Sequence, residues 1–234
     1  MKIGIIGAMA VEIAEMKAHM AQITVKTRAG MDFYEGTLAG LPVTLVQSGV
    51  GKVNAAMCAQ ILCGECAVTH VVNTGVAGSL CPELDIGDLV VSGDAMYHDF
   101  DCGGLDYPIG QVPGMPVLTF PADEQLVALA FQAAEMVNPG HTRIGRVASG
   151  DQFVAEKGQK AAILAHTGAL CTEMEGTAIA HTAYRNSVPF VVLRAISDKA
   201  DDSAQMDYPT FEAIAAQRCA RVTMALLKAL KEGE

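Results

Sequence analysis

The chain has 234 residues, 51% of them hydrophobic, and its formal net charge is −10. This length suits one domain, residues 1–234, that buries its own core. The negative charge argues against a nucleic-acid ligand, and no apolar run approaches the roughly 20 residues that span a bilayer. No signal-peptide order follows Met1, and the seven cysteines, an odd number in apolar surroundings, fit reduced thiols. We therefore expect a cytoplasmic protein that binds neither membranes nor nucleic acids.

Apolar runs typical of strands alternate with segments of helical periodicity along most of the chain. In chain order, strands are predicted over Lys2–Gly7, Phe33–Leu38, Leu41–Gln47, His70–Thr74, Leu89–Asp94, Thr142–Ala148, Ala169–Thr172 and Phe190–Ser197. Helices are predicted over Val11–Gln22, Val53–Cys66, Glu124–Met136, Lys157–His166, Glu175–Asn186 and Pro209–Lys231. Pro209 suits the first turn of the last helix. Helices interleaved with apolar strands imply an α/β fold with a largely parallel sheet covered on both faces.

Three glycine-bearing segments are predicted to be turns or loops. Ser48–Lys52 follows a strand and opens a helix, but Val46 stands where a phosphate-binding GxxxxGK loop requires glycine, which favours a packing turn. Asn73–Gly78 is predicted to be a strand-to-turn junction, whose small residues either let a flat sugar or base approach or simply form a tight turn. Cys102–Pro116 is the longest irregular segment and a candidate lid or subunit contact.

Two groups of residues contain side chains of the types that bind metals, but a structural role can also explain each group. Cys63 and Cys66 have the spacing of a redox or metal pair, but no second ligand pair accompanies them and they lie in a helical segment, which favours free thiols. His98 and Asp99, with Asp101 nearby, are compatible with a metal ligand set. A lone histidine beside acids in a loop is more often structural, so we expect no metal.

Carboxylates follow the ends of three predicted strands. Glu12 follows the first strand, Glu173 and Glu175 follow the strand that ends at residue 172, and Asp198 follows the last one. Taken singly, each is more often a solvated helix-start acid, an N-cap or, for Asp198, a salt-bridge partner of Arg194. Together they are expected to converge on the carboxyl edge of one sheet, where an α/β protein binds polar ligands. Such a site suits the handling of protons and hydroxyls rather than phosphates.

Six motifs carry a resemblance to a known family. In chain order they are MKIGIIGAM followed by Glu12, then SGVGKVNAA, NTGVAG, ASGDQF, TEMEGTAIAH and RAISDKAD. In this order and spacing they resemble the 5′-methylthioadenosine/S-adenosylhomocysteine nucleosidases of the nucleoside phosphorylase superfamily, along essentially the whole chain. The resemblance implies a three-layer α/β domain around a central mixed, twisted sheet that is flanked by helices and curls toward a barrel. It also implies a homodimer and cleavage of the adenine–ribose bond by water, without metal or organic cofactor.

The resemblance also implies catalytic residues. Asp198 matches the acid that protonates N7 of the departing adenine, and Ser197 beside it orients that carboxyl group. Glu12 matches the general base that activates water for attack on C1′, and Glu175 matches the acid that binds the ribose hydroxyls. Cleavage leaves oxocarbenium-like charge on the ribose and negative charge on the purine, so acids near both fragments suit the reaction.

The remaining binding residues follow from the same resemblance. Phe153 is expected to stack on the purine, and the backbone of Val154 to read its amino edge. Other residues are expected to surround the sugar or to hold the acidic side chains beside it in place. They are Val76, Ala77, Gly78, Glu173, Met174 and Arg194. The apolar 5′ pocket, which accepts a thioether, is expected to be lined by Met9, Val50 and Tyr208. Leu105 lies at the position from which members of the family contribute a side chain to the neighbouring subunit's site.

Three alternatives stay open. Val76 stands where some relatives carry serine, and Tyr208 and Leu105 where Phe is common, so aminodeoxyfutalosine or 5′-deoxyadenosine are alternative substrates. A phosphorolytic purine nucleoside phosphorylase on the same fold needs cations or backbone donors for phosphate. The strand around Asn73 carries no arginine, and Arg28 is the only nearby candidate. A non-catalytic nucleoside-binding relative would have lost at least one of the three catalytic acids, and all three are present.

Overall fold

The computed structural model describes residues 1–233, which form ten strands and six α-helices. The strands are β1 (Ile3–Gly7), β2 (Ala21–Arg28), β3 (Met31–Leu38), β4 (Leu41–Gln47), β5 (His70–Ser79), β6 (Leu89–Tyr97), β7 (Phe120–Pro121), β8 (Thr142–Ser149), β9 (Cys171–Glu173) and β10 (Phe190–Asp198). The helices are α1 (Ala10–His19), α2 (Lys52–Gly64), α3 (Glu124–Val137), α4 (Lys157–Thr167), α5 (Gly176–Arg185) and α6 (Ala204–Glu232). None of these helices is both long and apolar enough to cross a membrane.

All of these strands belong to one mixed sheet. Its parallel part has the order β4–β1–β5–β10, and β3 and β2 extend it as an antiparallel hairpin beyond β4. β10 also pairs with β6, which is followed by β8 and β9, and β9 pairs with β5, so five strands close into a barrel. The mixed sheet that curls toward a barrel is confirmed. The expectation of a largely parallel sheet is wrong, because β6 runs antiparallel to β10 and β9 antiparallel to β5.

Helices cover both faces of the sheet and enclose two apolar cores. Alternate residues of β10 point to opposite faces, so that Val191 and Leu193 join one core and Val192 joins the other. The first core is closed by α1, α3 and α6, with Met16 fully buried in it. The second core is closed by α2 and α5, which buries Ile179. The result is a single α/β domain of three layers, as predicted.

Several elements differ from the sequence prediction, among them β7, a two-residue strand that was not predicted. The helix predicted over Val11–Gln22 ends at His19, and β2, which the sequence analysis did not predict, follows it. Every residue of β2 is exposed, so the strand shows no buried face and depends on its pairing with β3 across the turn at Gly30. Pro209 lies in the second turn of α6, which begins at Ala204, and not in the first turn.

The cysteines are free thiols, including the pair with redox spacing. Cys63 and Cys66 are only partly buried, and they form no disulfide. Burial raises the pKa of both thiols, to about 11 for Cys63. Thiols with a raised pKa carry little thiolate at neutral pH, and the free state of both cysteines agrees with the prediction.

Candidate active site

A cleft lies where β1, β5 and β10 meet the barrel strand β9. The predicted site residues that line it are Met9, Glu12, Val50, Val76, Ala77, Gly78, Phe153, Val154, Glu173, Met174, Glu175, Ser197, Asp198 and Tyr208. Two others do not line it: Arg194 is buried behind the wall, and the side chain of Leu105 is 70% exposed in a short 3₁₀ turn. The lining residues that were not predicted are Ala8, Gln152 and Thr172, each adjacent in sequence to a predicted one.

The acids meet in a different way from the one predicted. Glu12 follows β1 and Asp198 ends β10, and both strands run parallel to β5, as expected. Glu173 ends β9, which runs antiparallel to β5 with Thr172 opposite Gly78. These acids face one cleft because the barrel brings β9 across the end of β5. They do not share the carboxyl edge of a parallel sheet.

Glu12 lies in the first turn of α1, where three backbone N–H groups hold its carboxylate. Oε2 accepts hydrogen bonds from Ala8 at 2.7 Å and Met9 at 3.0 Å, and Oε1 accepts one from Val76 at 3.1 Å. Burial raises the pKa of Glu12, whereas the positive charge of Arg194 and these hydrogen bonds lower it by a smaller amount. A carboxylate with a fixed orientation and a raised pKa is suited to act as a general base.

The segment Asn73–Gly78, predicted to be a strand-to-turn junction, lies entirely within β5. Its glycines leave room for the acids themselves. A Cβ atom added to Gly75 would lie 3.0 Å from Cδ of Glu12, and one added to Gly78 would lie 2.7 Å from Oδ1 of Asp198. The groups that approach this backbone closely are therefore two carboxyl groups of the protein.

Asp198 ends β10 and is oriented by its neighbours. Ser197 Oγ donates a hydrogen bond to Oδ2 at 2.9 Å, and the N–H of Ala200 donates one to Oδ1 at 2.8 Å. Burial raises the pKa of Asp198 more than these hydrogen bonds lower it, and the carboxylates of Asp207 and Asp201 raise it further. An acid in this environment holds its proton closer to neutral pH, as a proton donor requires.

Glu173 and Glu175 lie two residues apart and have opposite electrostatic environments. Burial disfavours the ionised form of Glu173, but its ion pair with Arg194 and a hydrogen bond from Ser149 Oγ hold the pKa of Glu173 below its usual range. Glu175 accepts a hydrogen bond from the N–H of Gly51 at 2.7 Å. Burial, together with the negative charge of Glu173, raises the pKa of Glu175 to about 8. At neutral pH Glu173 is therefore ionised, whereas Glu175 readily holds a proton.

Arg194 supports the acids from behind the cleft. Besides its ion pair with Glu173, its Nη2 donates to Oδ1 of Asn73 at 2.6 Å, and its Nη1 donates to the carbonyl of Leu193 at 2.8 Å. Its charge also favours the ionised form of Glu12. The buried guanidinium therefore fixes one acid and limits the rise in pKa of another, as the resemblance implies.

Apolar and aromatic side chains form the outer part of the cleft. The rings of Phe153 and Tyr208 meet edge to face, with centroids 5.5 Å apart. Tyr208 Oη lies 3.3 Å from Met9 Sδ and donates to Glu212 Oε1 at 3.1 Å. The side chains of Phe153 and Val50 are each 48% exposed. An exposed aromatic face at the opening of a cleft can stack on a planar ligand.

Two residues considered as ligands of a metal ion or of phosphate, Asp99 and Arg28, contact other side chains of the protein. Within residues 1–233 no group of His, Cys, Asp and Glu is arranged to hold a metal ion. Asp99 instead binds Lys52, with both carboxylate oxygens 2.6 Å from Nζ. Arg28, at the end of β2, donates a hydrogen bond to Glu65 at the end of α2 and does not line the cleft. In the described part of the chain the cleft is lined by acids and by no lysine or arginine.

Residues 2–228 match the model of the phosphorylase superfamily. The chain belongs to this superfamily. A 5′-methylthioadenosine/S-adenosylhomocysteine nucleosidase from Streptococcus pneumoniae is 37% identical, with 98% of this chain and 100% of that chain covered and a TM-score of 0.93. The corresponding nucleosidase from Neisseria meningitidis is 35% identical, with 97% and 99% covered and a TM-score of 0.94. A futalosine hydrolase from Helicobacter pylori is 32% identical, with 97% of each chain covered and a TM-score of 0.93.

These similarities confirm the family and the fold that the motifs imply. The chain is an enzyme of the nucleoside phosphorylase and nucleosidase family. Its structural neighbours include adenosyl nucleosidases, which is consistent with an N-glycosyl hydrolase. Two substrate classes occur among these neighbours, so the similarity alone leaves the 5′ group of the substrate open.

Proposed function

We propose that this protein hydrolyses the N-glycosidic bond of 5′-methylthioadenosine and S-adenosylhomocysteine. The products are adenine and either 5-methylthioribose or S-ribosylhomocysteine. One observation carries the proposal: Glu12, Glu175 and Asp198 line one cleft, and burial raises the pKa of each. Acids of this kind suit a reaction that moves protons on both sides of a glycosidic bond. The similarity of the whole chain to nucleosidases for these substrates supports the same reading.

Asp198 is the proposed donor of a proton to N7 of the departing adenine. Protonation at N7 makes adenine a neutral leaving group, so the donor must still hold its proton when the bond begins to break. The raised pKa of Asp198 and its fixed orientation against Ser197 support this role. Proton transfer by a positioned group contributes roughly 10²–10⁴-fold to the rate.

Glu12 and Glu175 act on the sugar in this proposal. Glu12 accepts a proton from the water that attacks C1′, and three backbone N–H groups hold it ready for this step. Glu175 hydrogen-bonds the ribose hydroxyls, and its charge, when ionised, stabilises the oxocarbenium-like transition state. Its position opposite Gly51 is compatible with a sugar between β5 and the start of α2.

The charges of the cleft favour water over phosphate as the attacking group. Phosphate sites in proteins rely on arginine, lysine or clustered backbone donors. Among residues 1–233 the cleft is lined by four acids, Glu12, Glu173, Glu175 and Asp198, and by no cationic side chain. The nearest guanidinium that the acids engage belongs to Arg194, which is buried and already paired. A phosphate dianion would therefore find no cationic side chain to pair with in this cleft.

The apolar lining of the outer cleft supports a thioether as the 5′ substituent. Met9, Val50 and Tyr208 line it, and burial of a methylthio group there contributes about 1–2 kcal/mol, or roughly tenfold in binding. The second candidate function is hydrolysis of aminodeoxyfutalosine, which the similarity to a futalosine hydrolase favours. 5′-Deoxyadenosine lacks the thioether and is expected to be the poorer substrate.

Adenine release from a panel of 5′-substituted adenosines tests this proposal. We expect kcat/KM for methylthioadenosine and S-adenosylhomocysteine to exceed that for 5′-deoxyadenosine by about tenfold, because of the buried sulfur substituent. A higher kcat/KM for aminodeoxyfutalosine would support the second candidate instead. Tight adenine binding without turnover of any of these nucleosides would leave a non-catalytic binding role.

A homodimer is part of the same proposal. Val53 and Met57 lie one helical turn apart on α2 and are 70% and 41% exposed, and Leu105 is 70% exposed in the connection after β6. Exposed apolar side chains of this size support an interface, and a second copy of the chain is the proposed occupant. Leu105 would then reach the partner subunit's cleft. Sedimentation of the wild-type protein and of Leu105→Glu tests this, since a wild-type monomer would exclude the dimer.

A cytoplasmic location is also proposed. It is supported by the free state of all seven cysteines, because thiols persist in a reducing compartment. Fractionation of cells that express the chain, followed by detection of the protein, tests the location directly.

A further inference from the structure

Lys52 joins the SGVGK turn to the pair His98-Asp99, and the proposed reaction assigns no role to Lys52 or to this pair. Its Nζ lies 2.6 Å from both carboxylate oxygens of Asp99 and 3.7 Å from Oδ2 of Asp151. Oδ2 of Asp99 also accepts the backbone N–H of Asp151 at 2.8 Å. These contacts connect the segments that follow β4, β6 and β8. We refer to Lys52, Asp99 and Asp151 as the lysine cluster.

Asp151 caps the helix that Lys52 begins. The N-cap residue of α2 is Gly51, which has no side chain, and the N–H of Lys52 donates to Oδ1 of Asp151 at 2.8 Å. Gly51 has a φ of +96°, and a Cβ added to it would lie 3.2 Å from the same carboxylate oxygen. The turn is therefore shaped to receive an acid from another loop. The start of α2 depends on the loop after β8 for its first hydrogen bond.

The lysine cluster adjoins two walls of the cleft. Gly51 precedes Lys52 and donates its N–H to Oε1 of Glu175 at 2.7 Å. Phe153 follows Asp151 by two residues and forms the aromatic wall. A shift of the cluster would therefore move a hydrogen-bond donor of Glu175 and the stacking surface at the same time.

We propose that the lysine cluster positions the Gly51 turn and the Phe153 loop at the spacing that a bound adenine nucleoside requires. Lys52 does not line the cleft, so it acts through Gly51 and Asp151 and is a positioning residue. The side chains of Lys52 and Asp99 are only 21% and 14% exposed, so water and salt screen their attraction weakly. The nature of the substrate rests on the proposed function, whereas the contacts between the loops do not.

The test compares Lys52→Met, Lys52→Arg and a matched control, Lys26→Met. Lys26 also pairs with a carboxylate, Glu35 at 3.0 Å, but it lies on the exposed hairpin of β2 and β3 and outside the cleft. Asp151→Ala breaks the cluster by a second route, and because Asp151 is half exposed we expect this variant to fold. Amide hydrogen exchange of the ligand-free protein reports on the loops. Adenine release from methylthioadenosine reports on their effect on the reaction.

In Lys52→Met we expect hydrogen exchange over residues 48–54 and 150–154 to accelerate about tenfold, without a change in the strands. We expect kcat/KM to fall about tenfold or more, with partial recovery in Lys52→Arg. Asp151→Ala should change both quantities in the same direction, and Lys26→Met should match the wild type in both.

Unchanged exchange in these two loops of Lys52→Met and Asp151→Ala would overturn the inference. Faster exchange with wild-type kcat/KM would also overturn it, because the cluster would then hold the loops without positioning the substrate. If the wild-type protein releases no adenine from any nucleoside, the proposed function fails. Hydrogen exchange alone then decides whether the cluster holds the two loops.

Discussion

Replacing Gly75 by alanine tests whether the close fit between β5 and Glu12 is needed for the reaction. A Cβ added at this position would lie 3.0 Å from Cδ of Glu12 and closer still to Oε1, whereas ordinary contacts begin at 3.4 Å. The carboxyl group must therefore move away from β5. The residue that follows, Val76, donates the N–H that holds Oε1 at 3.1 Å, so the same movement breaks this hydrogen bond.

Gly75→Ala is expected to lose most of its activity while it still folds. A hydrogen bond to a charged group contributes about 1.5–3 kcal/mol. A misplacement of about 1 Å at a catalytic group costs roughly 10²-fold in rate. We therefore expect kcat/KM for methylthioadenosine to fall about 100-fold in Gly75→Ala. The free energy of unfolding should fall by only about 1–3 kcal/mol, which is the usual cost of an added methyl group in a packed interior.

Gly93→Ala in β6 is the matched control. A Cβ added to Gly93 meets only Cγ2 of Ile144, at 3.6 Å, which is an ordinary contact. Adenine release at low substrate concentration gives kcat/KM for both variants, and urea unfolding gives their stability. The reasoning is refuted if Gly75→Ala keeps kcat/KM within about threefold of the wild type, or if both variants lose the same activity.

Three further predictions concern the acids and their partners. Glu12→Gln and Asp198→Asn should each lower the rate of adenine release by about 10²–10⁴-fold with little change in melting temperature; a near-normal rate in either would show that its proton role is wrong. Burial raises the pKa of Glu175 from 4.5 to about 8, so its protonated form stabilises the fold below pH 4.5 and this contribution is lost as pH rises through 8. Glu175→Gln should therefore gain stability relative to the wild type between pH 5 and pH 8 in urea titrations, and a constant difference would contradict the raised pKa. Arg194→Met leaves Glu173 buried and unpaired and should cost about 3–5 kcal/mol in unfolding experiments, whereas a cost below about 1 kcal/mol would contradict the buried ion pair.

Most elements of the fold could be predicted from apolar periodicity, because most strands are buried and most helices have one buried face. β2 could not, since all of its residues are exposed and its conformation depends on pairing with β3. The small residues of Asn73–Gly78 predict a strand-to-turn junction, although the segment continues β5 to its end. Glycine is common in turns, but in this strand Gly75 and Gly78 leave room for the carboxyl groups of Glu12 and Asp198 to pack against the backbone.

The residues of the candidate site could be predicted from the motifs, but their geometry could not. Sequence places Glu173 and Glu175 after a strand, yet only the closure of the barrel brings them beside Glu12. The lowered pKa of Glu173 depends on Arg194, which is 21 residues away in sequence, whereas burial and the charge of Glu173 raise the pKa of Glu175. The contacts of Lys52 could not be predicted from sequence either, because its partners, Asp99 and Asp151, come from two other loops.

The central claim is that water, and not phosphate, attacks the nucleoside in this cleft. The most direct measurement is the incubation of purified protein with methylthioadenosine in ¹⁸O-labelled water, with and without excess phosphate. The rate of adenine release is measured in both buffers, and the sugar product is identified by mass spectrometry. We predict adenine and methylthioribose that carries one ¹⁸O atom at C1′, at a rate that phosphate does not change. A sugar 1-phosphate as the product, or release of adenine only when phosphate is present, would contradict the account.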